Sequence, residues 1–282
     1  HIKNFSKHGM FQSVYDYPHL SSSANHLFDI TLGYSSGSAL KSASNKQDAK
    51  KTNIYNQMAQ LLMGHDLSGA IKPFKIPGQT EPMRECWFIN LSRLLVKDEI
   101  KKGSFSLVLG TGSALDHEFA QRRTYSDSGA ATSYYTDSPA GEYAIITSSA
   151  TAGINNEASI GNQGLLFYQA GILVLTGTAE WTQHTTGSGG DTSTDGGGKT
   201  GTLRSMFSGS SISASADAIR HRMYNLEFNN TTELNSTVYF CRFNHNDFNY
   251  SSNPSYLSES KMRVKNSSLD QSVTYATTIG LY

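Results

Sequence analysis

The apolar run Gly164-Leu-Leu-Phe-Tyr-Gln-Ala-Gly-Ile-Leu-Val-Leu-Thr176 constrains this chain more than any other segment, because so much contiguous hydrocarbon must be buried wherever it goes. Its length suits a buried helix, but Phe, Tyr, Ile, Val and Thr around a central glycine favour a strand. Gly171 then reads as a bulge or a close backbone approach inside one strand, rather than a break between two. The run is followed almost at once by Gly187-Ser-Gly-Gly-Asp-Thr-Ser-Thr-Asp-Gly-Gly-Gly-Lys-Thr-Gly201, which has too little apolar surface to offset its ordering entropy. A core strand beside an exposed loop that orders against a partner describes a scaffold before it describes an enzyme.

Composition points the same way. Charged residues are 16% of the 282 and apolar residues 37%, both low for a soluble domain, and Ser, Thr, Asn and 25 Gly fill the deficit. Short hydroxyl and amide side chains suit turns and strand faces. Lys plus Arg and Asp plus Glu stand at 23 each, so no global field attracts nucleic acid or anionic lipid, and direct nucleic-acid binding is not expected. No apolar stretch approaches the roughly 20 residues of a spanning helix, which predicts no membrane insertion. Cys86 and Cys241 sit among apolar neighbours and read as two buried thiols, with one long-range disulfide as the alternative. The chain begins at His1 and stops inside an alternating run, Thr277-Thr-Ile-Gly-Leu-Tyr282, an end expected of a processed or incompletely represented product.

Along the chain, the alternation over 27–34 predicts a short strand, and the aromatics Phe5, Phe11, Tyr15 and Tyr17 before it suit either an N-terminal arm or a strand on the same domain. A helix is expected over 50–63, with Ile54, Met58, Leu61 and Leu62 on one side and Gly64 as its stop. A second helix is expected from Thr80 to Lys102, capped by Thr80, with Pro82 in its first turn, Met83, Trp87, Asn90 or Leu91, Leu94 and Val96 to Ile100 in its stripe, Lys97, Lys101 and Lys102 at its negative end and Gly103 closing it. Strands follow at 105–109 and 142–147, separated by a long Gly, Ser, Asp and Tyr-rich loop over 110–141. A third helix is expected over 213–224, then strands at 225–228, 237–243, 261–264 and 272–282. Helices early and strands late specify an α+β, β-rich mixed fold with two or three helices and long polar loops. Residues 1–282 read as one β-rich structural domain with an N-terminal arm and a possible subdivision near 184–202.

None of the motifs carries chemistry through to a site. Asp195-Gly-Gly-Gly-Lys-Thr-Gly201 resembles a phosphate loop, but Ser193 stands where the first glycine is required, and no apolar helix opens after Thr200. His117-Glu118 lacks the second histidine of a zinc helix, and Asp116 with Glu118 reads as a solvated pair. Arg122-Arg123 and Arg220-His-Arg222, the latter near Tyr224, are small patches that suit an interface or a charged surface. Glycan-acceptor patterns at Asn229, Asn230, Asn235 and Asn266 arise freely in an Asn, Ser and Thr-rich chain. The segment 244–257 reads as a contact loop or as internal packing. Trp87 is expected in the core and Trp181 at an interface. No catalytic, cofactor-binding or metal-binding residue is assigned, and no cofactor is expected.

The phrases Phe243-Asn-His-Asn-Asp-Phe-Asn-Tyr-Ser-Ser-Asn-Pro-Ser-Tyr256, Lys261-Met-Arg-Val-Lys265 and Thr274-Tyr-Ala-Thr-Thr-Ile-Gly-Leu-Tyr282 stand beside Ile54-Tyr-Asn-Gln-Met-Ala-Gln-Leu-Leu-Met-Gly-His-Asp66, Leu94-Leu-Val-Lys-Asp-Glu-Ile-Lys-Lys-Gly103 and Phe167-Tyr-Gln-Ala-Gly171. Together they resemble virion structural proteins of contractile-tailed, T4-like marine phages. The resemblance implies a non-enzymatic structural subunit of the tail, baseplate or neck, located in the virion after assembly in the host cytoplasm. Its implied partners are other virion structural proteins and copies of itself. Two other functions stay open: a host-surface or glycan-binding module, motivated by the Tyr-rich loop from Tyr125 to Tyr135, and a particle-associated hydrolase whose residues converge only on folding.

Overall fold

The computed structural model describes residues 2–4, 9–18, 23–40, 46–111, 121–152, 162–177, 207 and 211–232, then 234, 236–240, 242, 257–258, 261–262, 278 and 280. The chain divides into two compact units, His1–Glu233 and Leu234–Tyr282. The 184–202 stretch lies outside the described residues.

In the first unit the elements run β1 (Ile2–Asn4), β2 (Gln12–Tyr15), β3 (His26–Tyr34), α1 (Lys46–Leu62), β4 (Glu85–Leu91), α2 (Arg93–Val96), β5 (Glu99–Ile100), β6 (Ser106–Thr111), β7 (Gln121–Ser126), β8 (Tyr135–Ser138), β9 (Gly141–Ala152), β10 (Asn162–Phe167), β11 (Ile172–Thr176), α3 (Ile212–Arg220), β12 (Met223–Glu227) and β13 (Asn230–Thr231). An 11-stranded sheet in the order β1-β2-β3-β4-β11-β10-β9-β7-β6-β12, with β8 also on β9, is antiparallel at every pairing. With three helices among the described residues the fold is α+β and β-rich, the class expected from the sequence. In the second unit β14 (Leu257–Ser258) pairs with β15 (Lys261–Met262).

Cross-strand registers trace one face of the sheet from end to end. Ile30 and Leu32 oppose Ile89 and Trp87, which oppose Leu173 and Leu175; beyond β10 and β9, Tyr125 and Arg123 oppose Leu107 and Leu109. These side chains are all buried. Helix α3 lies on this face, since its Asp217 accepts from Gln12 Nε2 at 2.7 Å and Gln12 pairs with Ile30. Ser211 caps α3 by accepting from the Ala214 N–H at 3.2 Å.

Helix α1 covers the opposite face at β3. It can do so because Gly33 has no side chain: a Cβ there would stand 2.6 Å from the Lys51 carbonyl and 2.7 Å from the Tyr55 nitrogen. Ile54, Tyr55, Ala59 and Leu62 form the buried stripe of α1, whereas Leu61, expected on that stripe, is exposed. Gly64 ends the helix at φ 74°, its N–H bonded to the Ala59 carbonyl. The loop after α1 continues the cover, with Phe74 between Tyr55 and Phe88 at 5.5 Å from each ring.

Several expectations are corrected. The helix expected over 80–102 is the strand β4 followed by the single turn α2 and by β5. Strand β4 lies between β3 and β11 with both faces covered, so nearly every residue is buried and the run shows no period-2 signature. Trp87 is in the core as expected, but from a strand. The apolar run is two strands: β10 and β11 form a hairpin, with Leu166 opposite Leu173, and Gly171 at φ 68° turns the chain. Gly171 is also a close approach, since a Cβ would meet Val96 Cγ2 at 2.8 Å. Tyr-Gln-Ala carries no ordinary turn chemistry, which hid the break.

The expected loop over 110–141 contains β7 and β8. Helix α3 stops at Arg220, so Met223 and Tyr224 belong to β12. Instead of a free arm, the described part of the N-terminus supplies β1 and β2 at the sheet edge; Phe5 lies outside the described residues. Residues 237–240, and 278 with 280, carry no strand where strands were expected; β15 opens the strand expected over 261–264, of which 263 and 264 lie outside the described residues. The strands at 27–34, 105–109 and 142–147 and the helix over 50–63 are present with shifted ends.

The Gly33 contact makes a sharp test of the two-sided packing. Gly33→Ala is expected to destabilise the protein by roughly 1–3 kcal/mol, because backbone atoms of α1 must retreat from β3. Urea unfolding of the variant checks it, and an unchanged midpoint would contradict helix-on-sheet contact at Gly33.

Candidate interaction surface

At the β7-β6-β12 end of the sheet the face opposite the buried one carries Arg122, Thr124, Val108 and Gly110, all but Gly110 partly exposed in the described set. Two bulges meet there. Register passes from Met223↔Leu109 to Asn225↔Val108, so Tyr224 is an extra residue on β12; between β7 and β9 it passes from Arg122↔Ala152 to Arg123↔Ala150, so Thr151 is the extra residue on β9. Bulges re-aim side chains. Here Tyr224 turns onto the outer face, and the Arg122 guanidinium lies 3.8 Å from its ring centroid. Gly110, which pairs with Arg122 and donates its N–H to the Arg222 carbonyl at 2.7 Å, puts no side chain between them. The two basic patches, a hundred residues apart in sequence, are thus brought together across one strand.

The members of those patches differ in kind. Arg123 is 1% exposed on the buried face, 3.4 Å from Ser148 Oγ. Arg220 is engaged by Asp217 at 3.1 Å and by Gln12. The outward-facing feature is therefore the Arg122-Tyr224 stack, a partly exposed arginine on a tyrosine that is 43% exposed.

A polar cluster that sequence reading did not single out holds the β5-β6 turn. Buried Asp127 accepts from the Gly103 N–H at 2.8 Å, the Phe105 N–H at 2.9 Å and the Tyr168 hydroxyl at 2.8 Å. Burial pushes the Tyr168 hydroxyl far above the ordinary tyrosine value, and the Asp127 carboxylate adds to the rise. Lys102 lies over the Tyr134 and Tyr168 rings at 5.0 and 5.4 Å and bridges Glu142 and Glu99. Burial works against its charge, but the bond to Glu142 and the two carboxylate charges outweigh it and hold Lys102 above the usual lysine range. Hydrogen-bonding geometry of this kind fixes a fold; it shows no nucleophile set against a base.

A second buried cation closes the other end. Lys51, 1% exposed, donates to the Phe207 carbonyl at 2.7 Å, and the Phe207 ring packs on Trp87 with centroids 4.9 Å apart. Burial pushes the Lys51 ammonium down, with Asp48 pulling partly back; Asp48 also accepts from the Tyr34 hydroxyl at 2.5 Å.

Of the Tyr-rich loop, Tyr125 is buried and Tyr135 stacks on Tyr143 at 5.4 Å, which leaves Tyr134 exposed beside Lys102. Cys86 is a buried free thiol, raised by desolvation. Asp116, His117, Glu118, Trp181, the 187–201 tract, Cys241 and the 244–256 segment lie outside the described residues. Among the described residues no three His, Cys, Asp or Glu side chains are grouped to hold a metal, and no helix is long and apolar enough to cross a membrane. Among the described residues the most exposed apolar stretch follows β13 in sequence: Leu234 and Val238 are each 88% exposed, Tyr239 69% and Phe240 93%. The chain matches no protein-family model, no curated protein and no solved structure.

Two substitutions test the polar cluster. Asp127→Ala strands two backbone donors and a buried hydroxyl and is expected to cost about 3 kcal/mol, against about 1 kcal/mol for Tyr168→Phe, by chemical denaturation. Lys102→Met is expected to lose about 1 kcal/mol at neutral pH. Because the folded value of Lys102 lies above the ordinary 10.5, that contribution is complete below pH 10.5 and is lost as pH rises through the folded value. The gap between Lys102→Met and the parent should therefore close at the alkaline end of a stability series.

Proposed function

We propose that this chain is a non-enzymatic structural subunit of a tailed-phage virion, in the tail, baseplate or neck, acting by packing against other virion proteins and copies of itself. The observation that carries the assembly role is the stretch Val238-Tyr-Phe240, three consecutive large apolar residues left 69–93% exposed. Fully burying a side chain of this size is worth about 1.5–3 kcal/mol, so a stretch of three is a strong drive toward a partner. The exposed Arg122-Tyr224 stack adds the two residue types, arginine and tyrosine, that most often anchor interfaces. A neutral surface poor in charge sets up little repulsion between copies.

The assignment to a phage particle rests on the resemblance of the quoted phrases, among them Phe243 to Tyr256 and Ile54 to Asp66. Mass spectrometry of purified particles is expected to detect this chain at a fixed ratio to the other structural proteins, and side-chain-resolution imaging is expected to find residues 234–240 in contact with a neighbour. Presence in infected-cell lysate with absence from purified particles would refute the assignment.

A further inference from the structure

We infer that the corner between β4 and β5 is a docking surface for a second virion protein, one that presents an apolar socket rimmed by carboxylates. The inference goes beyond contact between copies of this chain and rests on the virion reading. The corner is the turn Arg93-Leu-Leu-Val-Lys-Asp98, which contains α2. Leu94 is 84% exposed there and Leu95 39%, while Val96 beside them is buried. Two neighbouring leucines are thus held in water by a turn whose third apolar side chain anchors it.

The turn is a rigid mount. Val96 seats on Gly171, where a Cβ would stand 2.8 Å from Val96 Cγ2. The Arg93 guanidinium donates to the Gln169 carbonyl at 2.6 Å, Asn230 Nδ2 donates to the Leu95 carbonyl at 2.8 Å, and the Lys97 N–H closes the turn on the Arg93 carbonyl at 2.9 Å. A side chain presented from a fixed turn loses less freedom on docking than one on a loose loop. The cost of this geometry falls on Lys97, at φ 58° and ψ −119°. Among the described residues it is the one non-glycine at positive φ. Its Cβ crowds the backbone in that conformation, which glycine would adopt without strain. Strain of this kind, held in place by the surrounding bonds, points to a role for the lysine side chain.

Charge selects the partner. Arg93, Lys97 and Lys101 are exposed, and Asp98 is the one exposed carboxylate between residues 93 and 102. Glu99 and Glu142 are instead drawn onto Lys102. Lys101 is fixed at the same corner, since its N–H donates to the Asn229 carbonyl at 2.8 Å, next to the Asn230 that holds Leu95. Two copies meeting through this corner would set the cations of one against those of the other. A different protein with carboxylates around an apolar socket matches both the leucines and the cations.

Purified particles and the free full chain test the surface together. A zero-length carbodiimide reagent, which joins amines to carboxylates in contact, is expected to link Lys97 or Lys101 to an Asp or Glu of a different virion protein. Hydroxyl-radical oxidation of Leu94 and Leu95 is expected to fall about tenfold from the free chain to the particle. Leu94→Glu alters an exposed side chain, so its urea midpoint should match the parent, while particles should carry about tenfold fewer copies of it. Lys97→Gly gives a readout that a purely structural lysine would not. Relief of strain should hold or raise its midpoint, and loss of the amine should lower its copy number. Should Leu94→Glu fail to fold, cross-linking and oxidation of the parent decide. Lysines linked only to another copy, within the chain or to nothing, oxidation unchanged in the particle, or Leu94→Glu incorporated at the parental ratio would each overturn the docking surface and leave the virion reading standing. Absence of the parent from particles overturns both.

Discussion

Burial of the β4-β11-β10 strands on both faces is the constraint from which the rest of the unit follows. Strands that bury nearly every side chain, most of them apolar, cannot lie against water on either side, so the sheet needs cover twice over. Helix α1 and the loop through Phe74 supply it on one face, with Gly33 setting the contact distance. Helix α3 and Phe207 supply it on the other, Phe207 resting on Trp87. Away from this centre, at β6, β7 and β12, the outer face is partly exposed, and there the sheet carries the β12 bulge and the Arg122-Tyr224 stack.

Buried polar groups are placed where the chain must turn between covered strands. Asp127 satisfies two backbone donors of the turn before β6 and a hydroxyl from the β10-β11 turn, tying three segments with one carboxylate. Lys51 does the same for the Phe207 carbonyl. Each is costly to bury and costly to remove, which makes such groups effective at selecting one arrangement of loops.

Legibility in the sequence followed the physics of exposure. The strand β3, half covered at its start, showed its alternation, and α1 showed its stripe because its far side is solvated. Strand β4 was misread because two-sided burial erases the period that separates strand from helix, and Pro82 and the lysines after Val96 then imitated helix ends. The β10-β11 hairpin was missed because its turn carries Tyr168, a core residue held by Asp127, where exposed turns carry Asn or Asp. Of the interaction surface, the arginines were visible singly, but their meeting with Tyr224 depends on a bulge that no local pattern announces.

By itself the sequence determined the fold class, the strands near 27–34, 105–109 and 142–147, the core role of Trp87 and the low-charge composition. Those properties depend on composition and on periodicities within a dozen residues. Tertiary structure alone decided that the long apolar run folds back on itself and that Arg122 stacks on Tyr224. Each of these is a relation between segments distant in the chain, set by register and by which face another element covers, and neither is written in the order of neighbouring residues.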